Sequence, residues 1–550
     1  MFCLLPSHNM NPAAGPEFFN FTEDVFDGWA RSQPQNLALW CVDGVTGAEQ
    51  KFTFQQLSRL AAQAANVFRA SGVRRGDTVL VMLPRVWQWW AAMLGLVRLG
   101  AVPIPATLQL TPRDVAFRLR SARIRAVFTC ADGLPKVQDF DGVRLATCPP
   151  PVGWIDFNAA MQSAPTEFSG LRTRAQDPGI IYFTSATTGE PKMVLHTQSS
   201  YGLGHRITGQ LWLDCKPDDV HWNVSDLGWG KAAWSSFFGP WHMGACVFAV
   251  DIHGKFDPAH TLDMLAQFPI TTWCAPPTAL RLIVRQHLSK WKFPHLRHCV
   301  TAGEPLNPEV MKLWQAGTGL DLYEAYGQTE SVVLVGNFRA LGHTPRPGSM
   351  GRAAPGFDLA LLDEGLREVA DGGEGEIAIR VKPSRPVGLF REYWLNPTEN
   401  AAQFKGDWYL TGDRARRDAD GYFWFLSRTD DVIKSSGYRI GPFEVESVLL
   451  EHPAVLEAAV IGKPDAVRGQ IVKAFVILQR GVTPGEELKH ELQQHCKLIA
   501  APYKHPREIE FVSELPKTVS GKTRHVVLRQ INGHSHRHDE PQTMNVSPSS

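Results

Sequence analysis

The chain has 550 residues, and its 56 Lys and Arg residues balance 55 Asp and Glu residues, which leaves a formal net charge of +1 at pH 7. A chain without charge excess lacks general electrostatic attraction to nucleic acids or acidic membranes, so we expect neither as a partner. Hydrophobic residues make up 44% and charged residues 20%, which excludes a disordered protein and leaves enough length for roughly three or four domain-sized cores.

The first 25 residues predict no targeting segment. They lack the basic start and apolar core of a signal peptide, and they carry Glu17, Glu23 and Asp24 without any arginine, unlike a mitochondrial presequence. The nine cysteines are scattered singly, so neither a disulfide framework nor a zinc knuckle is indicated. We therefore expect a cytoplasmic protein rather than one of the mitochondrial matrix.

Helical and strand-like patterns alternate through the first part of the chain. The spacing of apolar residues predicts helices at Phe54 to Ala70 and Trp87 to Leu99, with a short strand at Thr78 to Leu83 between them. The most continuous apolar region, Ala91 to Ala106, is interrupted by Arg98 and by prolines, well short of the roughly 20 residues that a membrane helix needs. The alternation predicts an α/β fold, with a large N-terminal domain of doubly wound layers and no membrane span.

A loop of small and hydroxyl residues follows the predicted apolar strand Gly179 to Phe183. Its backbone N–H groups, hydroxyls and single lysine suit phosphate binding. A Ser/Thr-rich surface loop is the alternative for this segment taken alone. It is not a Walker A loop, because that pattern of glycines before Lys-Ser/Thr occurs nowhere in the chain. The residues of the loop are Thr184, Ser185, Ala186, Thr187, Thr188, Gly189, Glu190, Pro191 and Lys192.

From Asp358 onward the pattern changes to short alternating segments separated by Glu-Gly and Asp-Gly turns. These segments predict a small β-rich subdomain, residues 358–427, whose last strand is Tyr422 to Leu426. We expect this subdomain to complete an N-terminal domain that comprises residues 1–427 and binds ATP and the acyl group.

After Arg428 a compact α+β pattern begins, which predicts a mobile C-terminal domain of residues 428–532. The polar segment 533–550 is predicted to be a disordered tail, and metal binding by its histidines is the alternative. The predicted elements of the C-terminal domain are a helix opening at Pro442, strands near Val455 to Ile461 and Lys473 to Leu478, and a helix around Glu486 to Lys497.

Four further motifs follow the phosphate loop in a characteristic order. They are Glu324-Ala325-Tyr326-Gly327-Gln328-Thr329-Glu330, Tyr409-Leu410-Thr411-Gly412-Asp413, Ser427-Arg428-Thr429-Asp430-Asp431 with Ser436-Gly437-Tyr438-Arg439-Ile440, and Pro516-Lys517-Thr518-Val519-Ser520-Gly521-Lys522. In this order they resemble the motifs of adenylate-forming enzymes, and the chain is similar to an acyl-CoA synthetase. The resemblance runs from about Phe18 to about Leu528 and is strongest to the medium-chain acyl-CoA synthetases, through Tyr438 to Pro442, Glu451 to Val455, Pro464 to Gly469 and Ala501 to Lys504.

The resemblance implies an ATP site built from these motifs. The loop from Thr184 to Lys192 would hold the β- and γ-phosphates, with both end residues catalytic, and Glu330 would help to hold Mg²⁺, which prefers carboxylate and phosphate oxygens. Asp413 would accept hydrogen bonds from the ribose hydroxyls, and Arg428 would add a donor. The adenine would be lined by Gly303, Glu304 and Pro305 and by Glu324, Ala325 and Tyr326. Gly327, Gln328 and Thr329 would also belong to the ATP site.

Lys522 is the most informative single residue. A solvated loop lysine is the ordinary state of Lys beside Gly and Ser. The resemblance implies instead that Lys522 stabilises charge on the α-phosphate and the carboxylate during adenylation. The second half-reaction would follow a swing of the C-terminal domain about Asp430. CoA would then contact Ser436, Gly437, Tyr438, Arg439, Arg468 and Lys497, with Gln109 as a further candidate, and the acyl pocket would contain Trp229.

The sequence therefore predicts an ATP-dependent carboxylic acid:CoA ligase that forms acyl-AMP and then acyl-CoA, on medium-chain fatty or compact aromatic acids. It would use Mg²⁺ with ATP, CoA as co-substrate, and no obligatory protein partner. Two alternatives stay open: a stand-alone adenylation enzyme that loads a carrier protein, and a non-catalytic nucleotide-binding regulatory protein. The second is motivated by Ala186, where related enzymes usually carry Gly, because an added methyl removes access to positive φ.

Overall fold

In the computed structural model, the described residues are 15–184, 190–252, 254, 256–518 and 521–534. They form two compact units. The larger unit contains the described residues up to Thr411 together with Ala415–Phe425, and the smaller contains Gly412–Arg414 and the chain from Leu426 onward. The predicted tail therefore lies outside the described residues, apart from 533 and 534, which extend the last helix.

The first sheet of the larger unit is entirely parallel, and its strand order is that of a doubly wound fold. The helices Phe54–Ala70 and Trp87–Leu99 have the predicted bounds and pack against each other. Thr53 starts the first of them with a capping box that includes Gln56. The strands of this sheet, in spatial order, are Val102–Pro105, Thr78–Met82, Ala126–Thr129, Val143–Ala146 and Ile155–Asp156.

The second sheet is mixed, and it carries the predicted β-rich subdomain as a continuation of the parallel strands rather than as a separate sheet. The strands of residues 359–428, except Glu392–Tyr393, join it through the antiparallel strand Gly351–Ala353. In spatial order the strands are Leu359–Leu362, Glu374–Arg380, Trp408–Arg417, Tyr422–Arg428, Gly351–Ala353, Val335–Gly336, Leu322–Tyr326, His298–Ala302, Thr272–Cys274, Val220–Asn223, Cys246–Asp251, Leu37–Asp43 and Glu49–Thr53, and Phe404–Lys405 pairs with Trp408–Arg417.

A third, antiparallel sheet consists of Glu392–Tyr393, Met193–Thr197 and Pro178–Phe183. Apolar side chains between the layers form the main core, with Trp89, Trp90 and Trp241 fully buried. The remaining α-helices of the larger unit cover the sheets and are Asp27–Ser32, Pro112–Ser121, Phe157–Ser163, Gln198–Ile207, Gly230–Ser235, Phe238–His242, Pro258–Gln267, Pro277–Ile283, Pro308–Thr318 and Pro397–Gln403.

The smaller unit confirms the predicted α+β pattern. The long antiparallel hairpin of Val455–Asp465 and Gly469–Leu478 is its centre, and Val460, Val472 and Leu492 lie in its core. Its remaining strands are Ile433–Ser435, Tyr438–Ile440 and Glu508–Phe511, and its helices are Pro442–Leu450, Glu486–Ile499 and His525–His534. Across the described parts of both units, no helix is long and apolar enough to cross a bilayer.

Candidate active site

Two neighbouring parallel strands, His298–Ala302 and Leu322–Tyr326, end at the same edge of the second sheet. Residues 303–305 follow the first strand, and residues 327–330 follow the second. Open α/β sheets bind ligands at the carboxyl ends of their strands. The structure thus brings together the two segments that were predicted to belong to the ATP site.

The two glutamates of these segments have different surroundings. Glu304 faces the helix Pro277–Ile283, where its carboxylate accepts from the backbone N–H of Thr278 at 3.1 Å and lies 3.3 Å from the guanidinium of Arg281. Glu324 is only 3% exposed, and its Oε1 accepts from the backbone N–H of Leu306 at 3.2 Å. Burial raises the pKa of Glu324 to about 8, so this carboxyl is mostly protonated at neutral pH.

The two ends of the phosphate loop are hydrogen-bonded to each other. The backbone N–H of Thr184 donates to the carbonyl of Lys192 at 2.9 Å, and the N–H of Lys192 donates to the Thr184 hydroxyl at 3.1 Å. Glu190 is exposed and Pro191 half-buried. Five of the predicted loop residues, 185–189, lie outside the described residues, and Ala186 is one of them.

A segment that the sequence analysis missed lies beside both Lys192 and Glu330. Tyr393 pairs across the third sheet with Val194, next to the phosphate loop. The Lys192 ammonium forms an ion pair with Glu399 and lies 5.2 Å from the centroid of the Tyr393 ring. The Tyr393 hydroxyl donates to Oε1 of Glu330 at 2.8 Å. One short stretch of chain thus contacts both the cation and the carboxylate that the sequence assigned to phosphate and metal.

Tyr409 extends this network. Its hydroxyl lies 3.3 Å from the hydroxyl of Tyr393 and donates to Oε1 of Gln328 at 3.2 Å. Burial, reinforced by the negative charge of Glu330, raises the pKa of both tyrosines, so both hydroxyls keep their protons. A buried aromatic residue on a strand is ordinarily a core residue, and no pattern in the sequence separates these two from the core.

The described residues of the site are suited to a Mg²⁺ ion that is bound jointly by the protein and by the phosphates of a nucleotide. Within residues 15–534, leaving out the undescribed positions, no group of three or more His, Cys, Asp or Glu side chains could hold a metal by itself. Glu330 contributes one carboxylate, 9% exposed, close to the phosphate loop. Mg²⁺ is usually bound through one or two carboxylates together with substrate phosphates.

The loops of Trp229 and Gln109 are joined through Asp226. The carboxylate of Asp226 accepts from the Thr107 hydroxyl at 3.0 Å and from the backbone N–H of Gly228 at 2.8 Å. A Cβ at Gly228 would lie 2.1 Å from the backbone nitrogen of Thr107, so only glycine allows this approach. The N–H of Gln109 donates to the same Thr107 hydroxyl at 3.2 Å.

Trp229 also lies near the strand ends described above. It immediately precedes the helix Gly230–Ser235, and the Lys231 ammonium on that helix donates to the carbonyl of Ala302 at 2.9 Å, just before Gly303. The side chain of Trp229 is half-buried. The loop predicted to contain the acyl pocket and the loop predicted to contact adenine therefore meet at one edge of the sheet.

In the smaller unit, Asp413, Arg428 and Asp430 form one charged cluster. The Arg428 guanidinium lies 3.2 Å from the Asp413 carboxylate and 3.4 Å from that of Asp430. Asp413 is 6% exposed. The structure thus brings together the predicted ribose acceptor, the predicted donor and the predicted hinge residue.

Four of the predicted CoA residues meet at a tight turn of the smaller unit. Ser436 and Gly437 have φ of 49° and 84°, the left-handed pair that a two-residue hairpin turn requires. The backbone carbonyl of Arg468 accepts from the backbone N–H of Ser436 at 2.9 Å, and the Arg468 guanidinium donates to the Ser436 hydroxyl at 3.2 Å. Tyr438 stacks on Tyr503, with ring centroids 4.2 Å apart.

The other predicted CoA residues of this unit differ in position. Arg439 is exposed and pairs with Lys434 across the hairpin. Lys497 lies in the last turn of the helix Glu486–Ile499. Burial lowers the pKa of His505, as do the positive charges of Lys497, Arg507 and Arg468, which places these cations in one region. No role was predicted for Tyr503, His505 or Arg507, although Tyr503 lies in the segment Ala501 to Lys504 that carries the family resemblance.

Lys522 lies in a turn at the other end of the long hairpin. Its carbonyl accepts from the backbone N–H of Thr518 at 2.8 Å, and its own N–H donates to the Thr518 hydroxyl at 3.1 Å. The Lys517 ammonium lies 2.7 Å from the carboxylate of Glu457 on the hairpin. Residues 519 and 520 lie outside the described part of the chain.

The chain matches the AMP-binding enzyme family over residues 26–394 and the AMP-binding enzyme C-terminal domain over residues 444–522. It is 46% identical over 530 residues to the mouse mitochondrial acyl-coenzyme A synthetase ACSM3, covering 94% of this chain and 91% of that protein. It is 47% identical over 530 residues to the human mitochondrial acyl-coenzyme A synthetase ACSM4, covering 94% and 90%. A solved anthranilate CoA ligase in complex with anthranoyl-AMP has a TM-score of 0.86 at 30% identity, covering 95% of this chain and 99% of that chain.

These relatives overturn the predicted cytoplasmic location, because both curated synthetases are named as mitochondrial. The prediction rested on acidic residues and missing arginines near the first methionine. Such a short compositional pattern is a weak guide to where a protein functions, and a relationship over 94% of the chain outweighs it.

Proposed function

Because this chain belongs to the AMP-binding enzyme family and is an acyl-CoA synthetase, an ATP-dependent ligase of a carboxylic acid and coenzyme A, we propose that its acid is a medium-length aliphatic or compact aromatic one. We also propose that it acts in mitochondria, as its curated relatives do by name. The observation that carries the proposed site is the contact of Tyr393 and its neighbours with both Lys192 and Glu330.

In the proposed first half-reaction, the acid carboxylate attacks the α-phosphorus of ATP and pyrophosphate leaves. Lys192 and the N–H groups of its loop would hold the leaving phosphates. Mg²⁺, when bound, would neutralise phosphate charge, and Glu330 would hold it with a carboxylate kept in place by the Tyr393 hydroxyl. Lys522 would stabilise the charge that develops at the α-phosphate, and Asp413 would bind the ribose.

In the proposed second half-reaction, the CoA thiol attacks the acyl carbon and AMP leaves. The smaller unit, which we propose moves as a domain of residues 428–532 about Asp430, presents its two candidate faces at opposite ends of one hairpin. Lys517, which precedes the Lys522 turn, pairs with Glu457, and Ser436 and Arg468 lie near Asp465, eight residues farther along the strand. Eight strand residues span roughly 26 Å. A single rigid unit cannot bring both ends to one reaction centre at once, which supports a change of orientation between the half-reactions.

The substrate class rests on two observations. The half-buried Trp229 beside the strand ends offers apolar area together with bulk, which suits a compact or medium-length acyl group. Each buried methylene contributes about 0.8 kcal/mol, so four additional carbons favour binding over acetate by roughly two hundredfold until the pocket is filled. The solved relative in complex with anthranoyl-AMP supports the aromatic option.

A panel of acids tests this proposal. Pyrophosphate release is measured with ATP and Mg²⁺, with and without CoA, for straight-chain acids from acetate to palmitate and for benzoate-type acids. We expect kcat/KM to rise with the chain length of the acid and then to fall sharply once the pocket is filled. Acyl-CoA should form only when CoA is present. A best substrate of acetate or of a long-chain acid would contradict the substrate class, and transfer to a carrier protein but not to CoA would favour the alternative adenylation enzyme.

A further inference from the structure

A half-buried ion pair anchors the helix that follows the Lys522 turn. His525 is the first residue of the helix His525–His534, three positions after Lys522. Its Nε2 lies 2.7 Å from Oε1 of Glu446, on the helix Pro442–Leu450. The side chains are 21% and 15% exposed. The same Glu446 oxygen accepts from the backbone N–H of Val460 at 2.8 Å, so its position is set by the central hairpin.

The charges around His525 favour its protonated form. Burial and the positive charge of Arg529 on the same helix lower the pKa of His525. The negative charges of Glu446 and of Asp431, which precedes the strand Ile433–Ser435, outweigh these two effects, so the pKa of His525 is raised. Arg529 itself forms an ion pair with Asp431. Because the folded pKa is raised, the stabilisation is present at low pH and is lost as pH rises through that pKa.

The pair bears directly on the placement of Lys522. One side of the turn is anchored by Lys517 and Glu457. On the other side, the backbone N–H of Arg524 donates to the carbonyl of Pro516 at 2.8 Å, and the helix begins at the next residue. Farther along, Leu528 fixes the helix in the core. His525 thus fixes the start of this helix, next to the lysine.

We propose that His525 is a positioning residue for adenylation, holding the Lys522 turn through its ion pair with Glu446, and that loss of its proton loosens this turn. The inference rests on the role proposed above for Lys522. The rate of the first half-reaction then depends on pH through His525, a group that does not touch the substrate. The second half-reaction, which uses the other end of the hairpin, does not share this dependence.

The kinetic test compares the wild type with His525→Arg and His525→Gln. Adenylation is followed as pyrophosphate release without CoA over about pH 6 to 9, where a histidine with a raised pKa titrates. The wild-type rate should fall with rising pH, His525→Arg should remove that fall, and His525→Gln should be about tenfold slower at the acid end, the effect of losing one charge-assisted hydrogen bond. Conversion of supplied acyl-AMP and CoA to thioester should stay unchanged in both variants.

A second measurement does not depend on activity. The protection factors of backbone amides in residues 513–528, which correct for the base catalysis of exchange itself, should fall at high pH in the wild type but not in His525→Arg. The matched control is His452→Gln, since His452 pairs with Glu491 at 3.1 Å in the same unit and has no predicted link to Lys522. Equal pH dependence of these protection factors in the wild type and His525→Arg would overturn the proposal. Absence of any adenylate in the wild type, with the exchange difference present, would instead point to failure of the proposed function.

Discussion

Replacing Tyr393 by Phe should weaken adenylation through Glu330. The tyrosine is 3% and the glutamate 9% exposed, and their oxygens are 2.8 Å apart. A hydrogen bond to a charged group contributes about 1.5 to 3 kcal/mol, which corresponds to a rate loss of about ten- to a hundredfold if it is needed in the transition state. Because the lost donor orients the carboxylate, the Mg²⁺ concentration that gives half-maximal rate should also rise.

The assay is pyrophosphate release at saturating acid and ATP, titrated with Mg²⁺. A double-mutant cycle with Glu330→Gln separates a role through Glu330 from an independent one. If Tyr393 acts through the carboxylate, Tyr393→Phe should cost little in the Glu330→Gln background. Equal losses in both backgrounds, or an unchanged Mg²⁺ dependence, would show that Tyr393 does not act through Glu330.

Tyr182→Phe is the matched control. Tyr182 is fully buried on the strand that leads into the phosphate loop, and its hydroxyl has no hydrogen-bond partner among the described residues. Removing this hydroxyl leaves no group of the proposed site without a partner, so rate and Mg²⁺ dependence should stay near the wild-type values. Thermal unfolding of both variants shows whether either loses general stability.

Three further predictions concern other parts of the site. Lys522→Ala should slow acyl-AMP formation by about 10²- to 10³-fold, as expected for loss of one charge-stabilising donor, yet convert supplied acyl-AMP and CoA to thioester; equal loss in both assays would contradict it. Trp229→Ala should move or flatten the chain-length optimum of kcat/KM while ATP binding, measured by calorimetry, stays nearly intact; an unchanged optimum would remove Trp229 from the pocket. Glu324→Gln should become progressively more stable than the wild type between about pH 5 and 8 in thermal unfolding. In this range the buried carboxyl, with a pKa of about 8, keeps its proton, whereas Glu324 of the unfolded chain releases its proton. A constant stability difference across this range would contradict that pKa.

The amino-acid sequence alone was enough to predict the fold class, the order of the elements and the family. The helices Phe54–Ala70 and Trp87–Leu99 could be predicted with their bounds because an apolar face at helical spacing is a local property. The motifs from Thr184 to Lys522 could be found because each is a short continuous stretch with its own composition. The predicted cytoplasmic location was wrong. It was based on the composition of the first 25 residues, which is also a local property but has no direct connection to function.

The residues that support the motifs could be identified only from the folded chain. Tyr393 lies 63 residues from Glu330, and His525 lies 79 residues from Glu446. Neither pair follows from spacing, because strand register and helix packing set these contacts and chain distance does not encode them. The separation of the Lys522 turn from Arg468 likewise depends on the pairing of Val455–Asp465 with Gly469–Leu478. The two motifs could be found in the sequence, but the length of this hairpin sets the distance between them.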